Sequence, residues 1–137
     1  MTTMLSFSGT RPNNLGVTDG KLAACPSSPN CVSSQSPQED SEHYIAPIDC
    51  SGVSNPMARL RSVVSGMERT TIINESEDYL YAEFKTALMG FVDDVEFYLD
   101  SAANMIQVRS ASRLGQSDLG VNRKRIEAVR SQFAAQA

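Results

Sequence analysis

Two alternating runs, Val92 to Leu99 and Met105 to about Ala111, are joined by the turn sequence DSAAN at residues 100 to 104. A side chain on a strand changes face at every residue, so a slip of one position would turn a whole apolar face to solvent, and the apolar pattern therefore dictates the register. Pairing Leu99 with Ile106 sets Phe97 beside Val108 and Val95 beside Ser110. On the other face the same register sets Glu96 against Arg109 and Tyr98 against Gln107. As an exposed cross-strand ion pair, Glu96–Arg109 is worth about 0.2–1 kcal/mol and helps set register more than it stabilises.

The same hairpin carries an abrupt reversal of charge. Between residues 76 and 105 there are seven acidic side chains and one basic one, Lys85; from 106 onward six basic side chains meet only Asp118 and Glu127. Polar groups this dense within apolar alternation are costly to bury unless they pair with one another or bind something, so function is sought here. The simplest account is that the two blocks neutralise each other within one sheet.

Elsewhere the reading is simpler. Asn55 is a good helix N-cap, Pro56 suits the first helical position because its missing N–H costs nothing there, and Gly66 is a stop. Between them Met57, Leu60, Val63 and Val64, with Met67 just beyond, recur at helical spacing. Thr70 to Asn74 and Tyr79 to Leu88 complete four strand candidates, and a last helix starts at Asn122 with Ile126, Val129 and Phe133 as its buried stripe. Residues 1 to 55 hold five of the six prolines and little periodicity, so they read as an irregular arm wrapping the domain. The expected fold is α+β: a two-layer antiparallel sheet of about four strands, with two helices on one face and a long N-terminal irregular arm. Residues 1–15 are expected to be a flexible N-terminus and 16–137 a single domain.

With 41% hydrophobic and 20% charged residues the composition is globular, and a net charge of −4 argues weakly against general nucleic-acid binding. No apolar run approaches the roughly 18 residues that span a bilayer, and MTTMLSFSGTRP lacks the regions of a secretory leader, so the expected compartment is cytoplasmic, without membrane insertion.

Arg123, Lys124 and Arg125 occupy the first turn of the last helix, where the backbone already carries partial positive charge and acids are the rule. Either Asp93, Asp94 and Asp118 relieve that field, or a bound anion does. Gly115 and Gly120 let the linking loop bend under both readings. The candidate ligand-binding set is therefore Arg109, Ser110, Arg113, Asp118, Asn122, Arg123 and Arg125, with Asp93, Asp94 and Glu96 as supporting carboxylates. Asp93 and Asp94 point to opposite faces of a regular strand, which works against a metal site or a paired-carboxylate acid/base site without a bulge.

Cys25, Cys31, His43 and Cys50 all lie in the arm. Reduced, packed cysteines are the leading reading. A small Cys25–Cys31 disulfide across PSSPN is a second, acting as a switch in a reducing compartment, and zinc is a third, opposed by the spacing. The sole histidine has no nucleophile at a diagnostic spacing, there is no GxSxG, P-loop or GxGxxG, and no catalytic residue, cofactor or metal is called for. Tyr79, Tyr81, Phe84, Phe91, Phe97 and Tyr98 read as core and cross-strand pairs rather than base-stacking platforms.

Three stretches together, GVTDGKLAACPSSPNCVSS at 16 to 34, FVDDVEFYLD at 91 to 100 and VRSASRLGQSDLGVNRKRIE at 108 to 127, resemble the family known as domain of unknown function 1499. The resemblance runs from Gly16 to Arg130. It implies a group found in bacteria, including cyanobacteria, and in plastid-bearing eukaryotes, some of whose members carry leaders, and it implies no activity. Its pattern picks out Cys25, Pro26, Pro29, Asn30, Cys31, Asp93, Asp94, Glu96, Arg109, Ser110, Arg113, Asp118, Asn122, Arg123 and Arg125, and omits Cys50. The leading expectation is a non-enzymatic binding domain for a small anion or an acidic protein partner. The alternatives are a redox-responsive or enzymatic protein using Cys25 and Cys31, and a structural subunit of a larger assembly.

Overall fold

A computed structural model describes residues 9–87, 90–114 and 120–136. Its elements, in chain order, are β1 (Cys31–Ser33), β2 (Ile48–Asp49), α1 (Pro56–Ser65), β3 (Thr70–Glu75), β4 (Tyr79–Lys85), β5 (Val92–Asp100), β6 (Met105–Ser112) and α2 (Val121–Ala135). The sheet order is β1-β6-β5-β4-β3, with β2 also paired to β6 and every pairing antiparallel. The α+β class holds, but the sheet has six strands instead of about four. The two additions come from the arm, which is not wholly irregular: β1 and β2 pair along the free edge of β6, supplying partners to backbone groups that an unpaired edge would leave open.

The β5–β6 register is the one the apolar pattern dictates, including Leu99 with Ile106, Phe97 with Val108 and Glu96 with Arg109. Helix α1 begins as expected: the Asn55 side chain accepts a hydrogen bond from the Ala58 N–H at 3.3 Å, Pro56 follows it, and Gly66 closes the C-terminal end. Helix α2 starts one residue earlier than expected, at Val121. Gly120, at φ +80°, precedes it in a left-handed conformation that favours glycine. Strand β4 ends at Lys85, short of the expected Tyr79 to Leu88, with Thr86 and Ala87 outside the strand; Leu88 itself and the bend at Gly115 lie outside the described residues.

Leu60, Val63, Val64, Ile126, Val129 and Phe133 of the helices pack with Leu80, Ala82, Phe84, Val95, Phe97, Ile106 and Val108 of the sheet in one core. Both helices therefore cover one face. The other face is the correction to a two-layer picture, because the arm upstream of β1 lies on it as a third layer. Asp94, Glu96 and Arg109, all on that face, are 1%, 0% and 4% exposed. The Glu96–Arg109 pair is thus a buried one, against the expectation of an exposed pair.

Candidate functional site

The alternation of β4, β5 and β6 sorts the polar residues into two layers. Tyr79, Tyr81, Glu83, Asp94, Glu96 and Arg109 share the arm-covered face, whereas Asp93 and Ser110 share the helix face. The candidate residues are consequently divided by the sheet and do not form one cluster.

On the helix face the network is closed. Arg125 Nη1 donates to Asp93 Oδ2 at 2.7 Å and its guanidinium stacks 4.9 Å from the Phe84 ring. Asn122 was expected to begin the helix, yet its side chain is buried: its Oδ1 accepts from Ser110 and Arg125, and its Nδ2 donates to the Asn30 carbonyl and to Ser112 Oγ. Arg123 is drawn away from both layers, donating to the Ser41 and Glu42 carbonyls at 3.3 Å. Asp118 lies outside the described residues. Lys124 and Arg125 instead line an open groove with Arg69, Lys85 and Phe84.

On the arm face, Arg113 clamps Asp94 through Nε at 2.9 Å and Nη2 at 2.8 Å, and reaches Glu83 at 2.6 Å. Tyr81 donates to the same Asp94 carboxylate. These bonds raise the Arg113 pKa, the Asp94 contact contributing most, while burial foremost and then the Asp94 bond raise the Tyr81 phenol. Burial pushes the Glu83 carboxyl up, but the Arg11 and Arg113 guanidiniums more than offset it and hold it below the usual range. Arg11, in the segment expected to be a flexible terminus, donates to Glu83 at 2.9 Å.

Arg109 is different. Among the described residues its closest carboxylate, Glu96 Oε1, is 3.9 Å away, beyond hydrogen-bonding range, and its one side-chain hydrogen bond is a 3.3 Å bond to the Ala24 carbonyl. The Glu96 carboxylate is held by its other oxygen, which accepts from the Tyr79 hydroxyl at 2.6 Å and the Gly16 N–H at 2.7 Å. Among the described residues the buried Glu96 Oε1 and Arg109 Nε have no hydrogen-bond partner. Desolvation lowers the Arg109 pKa, with the Glu96 and Asp94 charges only partly offsetting it. Arg109 lines a cavity of about 320 Å³ between sheet and arm, together with Pro12, Asn14, Ala24, Asn30 and Arg113.

Sequence reasoning missed Tyr79, Tyr81, Glu83, Gly16 and Arg11. A signal for the first three was present: they alternate with Leu80, Ala82 and Phe84, which places them on the face of Asp94 and Glu96. No comparable signal marks Gly16 or Arg11.

The cysteines are also corrected. Cys25 and Cys31 form a disulfide, and only Cys50 is a free, buried thiol. The bridge removes two of the four ligands a zinc site would need, and among the described residues no metal-holding group of His, Cys, Asp or Glu occurs. Inside the disulfide loop, the Ser28 carbonyl lies 2.9 Å from His43 Nε2, while His43 Nδ1 lies 2.8 Å from Asp40, with Glu42 3.6 Å from Nε2. Only the doubly protonated ring donates to both acceptors. The His43 pKa is accordingly raised, first by Ser28 and then by Asp40. With a folded value above the ordinary one near 6.5, this contribution is complete below about pH 6.5 and is lost as pH rises through the folded value. Urea midpoints are expected to fall from about pH 6 to about pH 8 in the wild-type protein and to fall less in His43→Gln. Parallel slopes for the two proteins would remove the imidazolium from the account.

The DUF1499 family, described as a protein of unknown function, matches residues 21–133, and the chain belongs to it. No curated protein and no solved structure is matched. Among the described residues no helix is long and apolar enough to cross a membrane.

Proposed function

We propose that the protein is a binding domain for a small anion held in the cavity beside Arg109. The observation that carries this reading is a nearly buried guanidinium with no carboxylate of the described residues in hydrogen-bonding range. Such a charge is costly unless something compensates it, and a carboxylate or an oxyanion meets the guanidinium fork with two parallel bonds. A volume near 320 Å³ suits a small ligand. Arg113 lines the same cavity, but its bonds to Asp94 and Glu83 make it a wall that orients the site. This narrows the candidate set to Arg109 as the anchor, with Asp94 and Glu96 supporting it. Ser110, Asn122 and Arg125 instead hold the opposite layer together.

Acetate, succinate, sulfate and phosphate titrations followed by thermal unfolding test the reading. An anion that occupies the site at about 100 times its Kd adds about 2.7 kcal/mol of stability. At least one of the four is expected to raise the wild-type Tm, and Arg109→Lys to lose most of that rise because an ammonium lacks the fork. No shift with any anion in either the oxidised or the dithiothreitol-reduced protein, or an equal shift in Arg109→Lys, sinks the proposal. A second reading, an acidic partner on the helix face, is favoured by one observation: Lys85 and Lys124 line the open groove and make no ion pair among the described residues. Lys85→Gln/Lys124→Gln would then abolish an anion response that Arg109→Lys leaves intact.

A further inference from the structure

We infer that the Cys25–Cys31 disulfide is a redox latch that closes the arm over the Arg109 cavity, and that reduction by a dithiol opens it. The inference rests on the anion-site reading only for what the opened cavity receives. The bridge ties the arm to the first residue of β1. Ala24 and Pro26 flank one sulfur-bearing residue and Asn30 precedes the other, and all three line the cavity with Arg109. The bridge therefore fixes residues of the cavity wall from just outside it.

Upstream of Cys25 the arm is otherwise lightly held. Among its described residues only Leu22 is buried, and Leu22 is not part of the central core. Among the described residues the other ties are polar or cation–π: Gly16 to Glu96, Arg11 to Glu83 and over the Tyr81 ring, the Leu22 N–H to Gln35, Gln35 Nε2 to the Gly20 carbonyl, and the long Arg109 bond to Ala24. Segments with few buried apolar contacts open locally while the rest stays folded. The disulfide loop is also short, so its loss relaxes the unfolded chain less than opening a long loop would.

The chemistry has a direction, because Cys31 is fully buried whereas Cys25 is partly exposed. A thiolate of the reducing dithiol attacks Cys25 Sγ, the S–S bond breaks, and Cys31 leaves as a thiolate that then takes up a proton. The dithiol's second thiol attacks the mixed disulfide and releases Cys25. The dithiol ends as a disulfide and the protein gains two electrons and two protons.

Hydrogen exchange on the full chain, oxidised and then reduced with excess dithiothreitol, tests the latch without any ligand. The Gly16 and Leu22 amides are expected to exchange at least about tenfold faster after reduction, with β4–β5 amides unchanged. Arg109, read by mass spectrometry after phenylglyoxal treatment, is expected to become modified only in the reduced protein. A Cys25→Ser/Cys31→Ser protein should behave as reduced wild type; if it does not fold, the reduced wild type alone decides. Equal arm exchange in both redox states overturns the latch, as does loss of protection throughout the sheet, which would make the bridge a staple for the whole fold. Sulfate and acetate added to the reduced protein keep the two ideas apart. If neither shields Arg109 from phenylglyoxal although the arm opens, the anion site falls and the latch stands. If either anion raises the Tm while arm exchange is insensitive to reduction, the latch falls and the site stands.

Discussion

Glu96→Leu is expected to destabilise the protein by about 3–5 kcal/mol, a large part of the roughly 5–15 kcal/mol that holds a domain together. The substitution leaves Arg109, only 4% exposed, without the charge nearest to it, and strips partners from the Tyr79 hydroxyl and the Gly16 N–H. Taking both charges away has a different result. Since desolvation opposes the pair and its closest approach is 3.9 Å, Glu96→Leu/Arg109→Met is expected to recover most of the lost stability while losing every anion response. Urea unfolding of the four proteins of this cycle gives the coupling directly. A single Glu96→Leu loss below about 1 kcal/mol, the range of exposed pairs, would mean that water reaches the arm face.

Arg113→Ala is the second large effect, again about 3–5 kcal/mol, for a different reason. Arg113 joins two carboxylates, one of them almost wholly buried, and without it Asp94 and Glu83 face each other across neighbouring strands with, among the described residues, only Tyr81 and Arg11 to bond them. Removing the stranded carboxylate as well should recover part of the loss, so Arg113→Ala/Asp94→Asn is expected to be more stable than Arg113→Ala. Arg113→Lys keeps the charge but not the two-pronged grip on Asp94, and its loss is expected to fall between wild type and Arg113→Ala. Urea midpoints measure this, and an Arg113→Ala/Asp94→Asn protein no more stable than Arg113→Ala would show that the uncompensated carboxylate is not the source of the loss.

The two variants bear on what was legible beforehand. Glu96 and Arg109 were matched across the hairpin by alternation alone, and that match holds; their burial was missed because alternation says which residues share a face and not what covers it. Arg113 was identified as a candidate ligand residue, but its clamp on Asp94 and Glu83 depends on the β4–β5 register, which the hairpin pattern does not contain. Asn122 was placed at the helix start for its capping propensity, yet its amide links Ser110, Ser112 and the Asn30 carbonyl. Those partners lie 10 to 92 residues away, and that buried demand outweighed a local preference. The disulfide was one of three open readings, since two cysteines separated by five residues can approach or not according to how the chain between them folds.

By itself, then, the amino-acid order determined the helix α1 with its caps, the hairpin and its register, and the division of polar residues between two faces. All of these follow from steric periods of two and 3.6 residues acting between near neighbours. Tertiary structure alone decided that the arm supplies two strands and a third layer. It also decided that Arg109 is enclosed without a close carboxylate, because the Gly16–Glu96 and Ala24–Arg109 contacts join residues 80 and 85 positions apart. Over such separations no local pattern specifies a partner; contact is set by which packing of the whole chain buries the most surface and strands the fewest polar groups.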